Sequence, residues 1–250
     1  MSYTDREQII LDYLKENPSV SVKRLTKLLF ASEATVRRDL QKLETKGLII
    51  RTHGKAVGAN TYADKTVAFD QRELFANPLK KRIAEAAVAD CVQDGAVVIL
   101  DASSTVMHAV EFLSGMSDTI VITSGLKTAM LLSQTNLRFY SSGGKAIVGS
   151  SSFVGQTAID TLRTFNADVC LLSCHGLSED GYATDTSERE NDLRRVMMEQ
   201  SKRKVLLIDS SKIGKNCWHN LAFISEFDDV YCDAPLPEKI ASRAKNLHIV

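Results

Sequence analysis

From about residue 95 onward the chain repeats a pattern that few folds accommodate. Short apolar runs, Val97 to Leu100, Ile120 to Ile122, Val169 to Leu172 and Val205 to Ile208, are separated by stretches of helical periodicity. The runs are too short for helices and carry no polar alternation, so each reads as a strand buried on both faces. The pattern predicts a mostly parallel sheet covered by helices and joined by right-handed crossovers. No run approaches the roughly 18 apolar residues of a membrane helix. The opening Met1-Ser-Tyr-Thr-Asp-Arg-Glu lacks the apolar core of a secretory signal, so a cytoplasmic protein is expected. The 250 residues allow one or two domains, and only 4 prolines with 44% hydrophobic residues argue against extended disorder. Five cysteines without a C-x-x-C pair read as reduced thiols.

The net charge of zero hides a division near residue 60. Residues 1 to 60 hold 11 Lys and Arg against 7 Asp and Glu, and from residue 20 to 60 the count is 9 against 3. That local surplus suits a polyanion whatever the whole chain sums to. Within it, Thr4 followed by Glu7 resembles a capping box, and Ile9, Ile10, Tyr13 and Leu14 recur at helical spacing until Asn17-Pro18. Ser19 or Ser21 can cap a second helix with Val22, Leu25, Leu28 and Leu29 as its stripe. Ser32 can cap a third, with Val36, Leu40 and Leu43 on one face and Gly47 at its end. Three helices with a short turn between the last two form a helix-turn-helix, at about residues 20 to 39, whose third helix enters the major groove.

On the helical wheel the face opposite Val36 and Leu40 carries Ala34, Arg38, Gln41 and Lys42, flanked by Thr35 and Arg37. Arg pairs with guanine or phosphate, Gln reads adenine, and Thr touches a thymine methyl or phosphate. Thr52-His53-Gly54-Lys55 reads as a basic turn between two strands, a wing whose Arg51 and Lys55 touch the DNA backbone. The candidate DNA-contacting set is Ser21, Ser32, Ala34, Thr35, Arg37, Arg38, Gln41, Lys42, Arg51, His53 and Lys55. A small helical bundle for protein contacts is the alternative. The string Ser32 to Leu40 (Ser-Glu-Ala-Thr-Val-Arg-Arg-Asp-Leu), with Leu43, Gly47-Leu48-Ile49, Arg51 and His53-Gly54, resembles the signature of the DeoR family of bacterial transcriptional regulators. Lys55 stands where that family usually has a second Gly.

Residues 58 to 68, small and polar, read as a hinge. Asn77-Pro78 then opens a helix running to about Cys91. Ligands of open α/β sheets sit at the carboxyl ends of strands, where this chain repeatedly places hydroxyls, glycines and lysines. Asp101-Ala-Ser103-Ser104-Thr105 follows the first strand and Thr123-Ser124-Gly125 the second. Ser141-Ser142-Gly143-Gly144-Lys145 and Asp209-Ser210-Ser211-Lys212 follow two others. Such groups at helix N-termini suit a phosphate or a polyhydroxylated anion.

The resemblance to the DeoR family extends here through Phe69 with Arg72, Asp101 to Thr105, Gly143-Gly144, Val154-Gly155, and Asp209 to Lys212 with Gly214. It implies a sensor domain similar in fold to ribose-5-phosphate isomerases, and a phosphorylated sugar or related metabolite as effector. Ser103, Ser124 and Arg194 depart from the family's Gly, Asn and Lys.

An isomerase would need a carboxylate base and an enediolate-stabilising group, which Asp101, Asp185, Glu188 and Lys212 could supply. The same residues could instead hydrogen-bond a hydroxylated effector. Cys170, Cys174 and His175 lack a fourth metal ligand and read as core packing, and no cofactor motif is present. The chain is therefore expected to be a repressor of carbohydrate genes that is not an enzyme and needs no cofactor. Residues 1 to 57 would be a winged helix-turn-helix, 58 to 74 a linker, and 75 to 250 an effector-sensing domain. Its expected partners are operator DNA and a phosphorylated sugar, with no membrane, in a homodimer or homotetramer. The effector set is Asp101, Ser103, Ser104, Thr105, Thr123, Ser124, Gly143, Gly144, Lys145, Asp185, Glu188 and Lys212. The alternative is a sugar-phosphate isomerase-like enzyme with an appended basic domain, and a third reading is an interaction module with a degenerate pocket.

Overall fold

The computed structural model describes residues 3–17, 19–45, 48–52, 55–58, 69–74 and 77–250. Two compact units emerge, Met1–Ala76 and Asn77–Val250. The first contains α1 (Tyr3–Glu16), β1 (Val20–Ser21), α2 (Val22–Leu29), α3 (Glu33–Thr45), β2 (Ile49–Thr52), β3 (Lys55–Gly58) and α4 (Phe69–Leu74). Local chemistry accounts for the middle helices. The Ser21 hydroxyl accepts the Arg24 amide at 3.1 Å, and the Ser32 hydroxyl accepts the Thr35 amide at 3.2 Å, each satisfying an otherwise orphaned donor. Val22, Leu25 and Leu29 of α2 meet Val36, Leu40 and Leu43 of α3 in one core, closed by Ile10 and Leu14 of α1.

Two expectations need correction here. Thr4 is no cap, because α1 already begins at Tyr3 and Thr4 has helical backbone, whereas a cap must stand outside the helix. The wing is three-stranded rather than two-stranded. β2 and β3 pair antiparallel from Ile49↔Gly58 to Thr52↔Lys55, and β1 adds Val20↔Ala56 on the far side of β3. Residues 69–74 of the expected linker are helical, and Arg72 lies 5.4 Å from the centre of the Phe69 ring. Pro18, Gly47, His53, Gly54 and residues 59–68 lie outside the described residues.

The second unit runs α5 (Asn77–Cys91), β4 (Val97–Leu100), α6 (Ala109–Leu113), β5 (Ile120–Thr123), α7 (Leu126–Leu132) and β6 (Arg138–Ser141). It continues with β7 (Lys145–Ile147), β8 (Ser152–Val154), α8 (Gln156–Leu162), β9 (Ala167–Leu172), β10 (Gly176–Leu177) and β11 (Tyr182–Asp185). It ends with α9 (Glu188–Glu199), β12 (Ser201–Ile208), β13 (His219–Phe223), β14 (Asp229–Cys232), α10 (Glu238–Ala241) and β15 (Leu247–Ile249). Seven strands form one sheet in the order β15-β14-β12-β9-β4-β5-β6, and every pairing in it is parallel. Alternate residues of the same apolar runs serve opposite faces. Val98, Leu100, Val169, Leu171, Val205 and Leu207 pack with α5 and α6, while Ile99, Cys170, Leu172, Leu206 and Ile208 pack with α8 and α9. Burial on both sides is why these strands read as unbroken apolar runs.

Two small antiparallel sheets, β7-β8 and β10-β11-β13, sit outside this pattern and were not anticipated. The Gly143-Gly144 loop leads into the β7-β8 hairpin rather than a helix. At Gly144 (φ +98°) a Cβ would stand 2.7 Å from the Val154 carbonyl oxygen, so the hairpin closes only around glycine. Among the described residues no helix is long and apolar enough to cross a membrane.

Candidate functional site

In the first unit α3 turns Ala34, Arg37, Arg38, Gln41 and Lys42 to solvent, with Thr35 half-buried. Arg37 reaches Glu33 at 3.5 Å, an exposed i,i+4 pair of the kind that contributes only about 0.3–0.5 kcal/mol, so it remains available to a phosphate or base. Behind that face Asp39 is buried and gripped by Arg6, Nε to Oδ2 at 2.6 Å and Nη2 to Oδ1 at 3.2 Å. This two-pronged bond fastens α1 to the exposed helix, and sequence reasoning missed it. Arg51 is tethered. Its amide donates to Glu44 at 3.2 Å and its guanidinium lies 3.5 Å from the same carboxylate, joining β2 to the end of α3. Lys55 is exposed beside the turn, and His53 is outside the described residues. Phe30, which ends α2, adopts φ +48° and is 95% exposed, an unexpected placement for an aromatic residue.

In the second unit the strand order departs in opposite directions from the adjacent pair β4 and β9, which makes their carboxyl ends the switch point at which open α/β sheets bind ligands. Asp101 is the first residue past β4 and is almost fully buried. Its Oδ1 accepts the Ser103 amide at 2.9 Å, and its Oδ2 accepts the Ser173 amide, past β9, at 3.1 Å. Arg194, buried on α9, donates Nε to Asp101 at 2.8 Å and Nη1 to Asp185 at 2.8 Å, and its Nη1 also reaches Asn191 at 3.1 Å. Asp185 further accepts the Thr186 and Ser187 amides at 2.7 and 3.1 Å, and His175 Nδ1 lies 2.9 Å from its Oδ2. Burial opposes the charge on Asp185, but Arg194 and the His175 hydrogen bond outweigh it and hold the carboxyl well below its ordinary range.

A cationic cluster adjoins this network. Lys212 Nζ lies 2.7 Å from Ser173 Oγ, 3.4 Å from Thr105 Oγ1 and 3.7 Å from Asp209 Oδ2. Lys80 is buried on α5 and reaches Ser104 Oγ at 3.2 Å. Burial works against ionised Asp209, yet Lys212 and Lys80 keep its carboxyl below the usual carboxylate range. Its Oδ2 is buried without a hydrogen-bond partner among the described residues. Burial lowers Lys215, against the pull of Asp209.

Of the expected effector residues, Asp101, Ser103, Ser104, Thr105, Asp185 and Lys212 thus come together. Gly143-Gly144 and Thr123-Ser124 form two neighbouring turns, in the second of which the Thr123 hydroxyl accepts the Gly125 amide at 2.9 Å. A bridge from Gly125 to Ser152 links this second turn toward α9, because the Ser152 hydroxyl donates to buried Glu190 at 2.5 Å. Lys145 and Glu188 do not join. Lys145 is exposed on β7. Glu188 is exposed because it lies two residues from Glu190, about 200° around the helix, so Glu190 is the glutamate that turns inward.

Lys80, Ser173, His175 and Arg194 were not in the expected set. Arg194 had a signal, a charge on the stripe that continues through Leu193 and Met197. Cys170 and Cys174 are core thiols pushed up to about 12 by burial. Among the described residues no cluster of His, Cys, Asp and Glu could hold a metal ion.

Comparison with known proteins matches residues 6–61 to the DeoR-like helix-turn-helix domain and residues 77–234 to the DeoR C terminal sensor domain. The chain is 32% identical over 235 residues to the L-fucose operon activator of Haemophilus influenzae, covering 94% of each. It is 33% identical to the transcriptional repressor GlcR of Bacillus subtilis, over 93% of this chain and 89% of that one. The glycerol-3-phosphate regulon repressor of Escherichia coli K12 is 28% identical over all of this chain and 98% of its own. Ribose 5-phosphate isomerase A of Methanocaldococcus jannaschii overlaps 56% of this chain and 55% of its own at 18% identity, with a TM-score of 0.42. With a family match over each unit and relatives spanning nearly its whole length, this chain belongs to the DeoR family of DNA-binding transcriptional regulators and is a regulator rather than an enzyme.

Proposed function

We propose that the protein represses carbohydrate genes from the cytoplasm by binding an operator through residues 1 to 57, with 58 to 74 as linker and 75 to 250 as the domain that reads a phosphorylated sugar. Ser21, Ser32 and Thr35 at the helix starts, Ala34, Arg37, Arg38, Gln41 and Lys42 on α3, and Arg51, His53 and Lys55 on the wing contact the DNA. Asp101, Ser103, Ser104, Thr105, Asp185 and Lys212, joined by Lys80 and Arg194, hold the effector, with the Thr123-Ser124 and Gly143-Gly144 turns beside them. The observation that carries this reading is the composition of the strand-end cluster. Buried lysines and hydroxyls suit a phosphate, and the Asp209 Oδ2, which has no hydrogen-bond partner among the described residues, suits the hydroxyl of a polyol. A buried acceptor left unsatisfied costs about 1–3 kcal/mol, which a bound hydroxyl would remove.

An effector that favours one of two states, DNA-competent or DNA-incompetent, shifts their populations by its difference in affinity. Two copies would read two half-sites about 34 Å apart, one turn of DNA. The test is fluorescence anisotropy on the duplex upstream of the protein's own gene and on a shuffled duplex, across a salt series. Binding about a thousandfold or more tighter to the first is the expected result. Equal, salt-sensitive binding to every candidate operator would refute specific recognition. Operator affinity unchanged by any saturating sugar phosphate would refute the linkage, and a monomer by gel filtration with and without DNA would refute the symmetric reader.

A further inference from the structure

The chain between the Lys212 cluster and β13 is a strap laid along β10 and β11. The Gly214 amide donates to the Leu177 carbonyl at 2.8 Å, and Ile213 bridges to Leu177. Lys215 passes so close to Gly176 that a Cβ there would stand 2.4 Å from the Lys215 carbonyl oxygen. The Cys217 amide then donates to Thr184 Oγ1 at 2.9 Å, and the Trp218 indole Nε1 donates to the Thr186 carbonyl at 3.1 Å. Thr186 in turn gives its amide to the Asp185 carboxylate at 2.7 Å. A single residue therefore separates the indole from the carboxylate that holds Arg194.

The strap ends with an aromatic ring fixed at its polar corner and otherwise open to water. Trp218 is 69% exposed, and its ring stands edge-on to His219, 5.2 Å between centres. His219 Nδ1 lies 3.0 Å from Asn191 Nδ2, and the amide oxygen of Asn191 accepts from Arg194, so both neighbours of the indole lead back to the same buried guanidinium. His175, beside Gly176, is held through Nδ1 by Asp185 and keeps part of its ring exposed. The polar, cationic cluster thus has an exposed aromatic ring bonded to the residue next to its Asp185, and a few polar groups that orient a ligand beside a large ring that supplies contact area are the makings of a ligand site. A cyclic sugar offers hydroxyls at its edge and a flat C–H face that an indole covers. An open-chain polyol offers no such face.

We propose that Trp218 is a specificity-determining residue of the sensor site that stacks on the ring of a cyclic sugar phosphate and selects it over open-chain phosphates. This rests on the strand-end cluster being the effector site. The test uses the full chain, whose one tryptophan makes its emission a report on this position alone. Glucose 6-phosphate, fructose 6-phosphate and fructose 1-phosphate serve as ring probes, sorbitol 6-phosphate and glycerol 3-phosphate as open-chain probes, and inorganic phosphate as the shared anion. Binding is measured by calorimetry and by emission.

The tightest ring probe is expected to change the emission, to bind at least tenfold more tightly than the open-chain probes, and to lose tenfold or more in Trp218→Leu with most of it restored in Trp218→Phe. Inorganic phosphate should change less than twofold in either variant, which also shows that the floor of the site has folded. A ring probe that binds without changing emission, or equally to wild type and Trp218→Leu, overturns the proposal and leaves the effector site standing. Tighter binding of an open-chain probe overturns it too, as does an emission shift on dilution without ligand, which would assign the ring to contact with a second copy. If none of the probes, inorganic phosphate included, binds the wild-type chain, the effector-site reading falls and this proposal with it.

Discussion

Replacing Arg194 with Met would remove the one positive charge among the described residues that is hydrogen-bonded to both Asp101 and Asp185, and leave two carboxylates in a site where neither is more than 1% exposed. Breaking a buried ion pair by deleting one partner costs about 3–5 kcal/mol, because the remaining charge is desolvated without compensation. Here part of the compensation survives. Asp101 keeps the Ser103 and Ser173 amides, and Asp185 keeps the Thr186 and Ser187 amides and His175. A loss near the lower end, about 3 kcal/mol at pH 7, is therefore expected. With a urea dependence of about 1–3 kcal/mol per molar, that loss lowers the unfolding midpoint by roughly 1–3 M. Emission from Trp218 follows the second unit specifically.

The pH dependence carries the sharper test. In the wild type Asp185 titrates below its ordinary value of 3.8, so its contribution is fully present above 3.8 and is lost as pH falls through the depressed folded value. In Arg194→Met the folded Asp185 carboxyl titrates above its wild-type value, so the deficit is small only when pH falls to the depressed wild-type value and grows as pH rises from there to the variant's own value. A deficit under about 1 kcal/mol at pH 7, or one independent of pH, would refute the claim that Arg194 works by neutralising these two groups. Restoration by the triple variant Arg194→Met, Asp101→Asn, Asp185→Asn would support it.

Three further outcomes are expected. Arg38→Ala should weaken operator binding by about 1–3 kcal/mol and relax selectivity at one base pair, as read by anisotropy on single-base operator variants; an equal loss on every sequence would make Arg38 a phosphate contact. Phe30→Gly should stabilise the first unit by roughly 1 kcal/mol in thermal melts, because glycine takes the left-handed backbone without strain; a lower melting temperature would mean that the exposed ring makes a contact this account lacks. Gly176→Ala should displace the strap, since the added Cβ meets backbone at 2.4 Å, and should shift Trp218 emission with a stability loss of about 1–3 kcal/mol; unchanged emission would show that the strap is not seated on Gly176.

Local features were legible in advance. Ser21 and Ser32 cap the helices assigned to them, and the stripes of α2 and α3 close the expected core, because caps and helical faces are set within a few residues. Thr4 failed as a cap because the same residue types occur inside a first turn as well as before it. The apolar runs became strands buried on both faces, yet the two small antiparallel sheets escaped notice, since β10 and β11 are too short to show a pattern and are held by a partner, β13, that arrives about thirty-five residues later.

By itself the sequence determined the helices of the first unit, the central strands of the second, the basic exposed face of α3 and the family, because each depends on residue type at short spacing. Only the tertiary structure decided the polar site. Arg6 reaches Asp39 across 33 positions and Arg194 reaches Asp101 across 93, while Lys212 meets Thr105 across 107. Whether a charge is neutralised in the interior or left in water depends on what the fold brings within about 3 Å of it, a distance that carries no trace in the spacing along the chain.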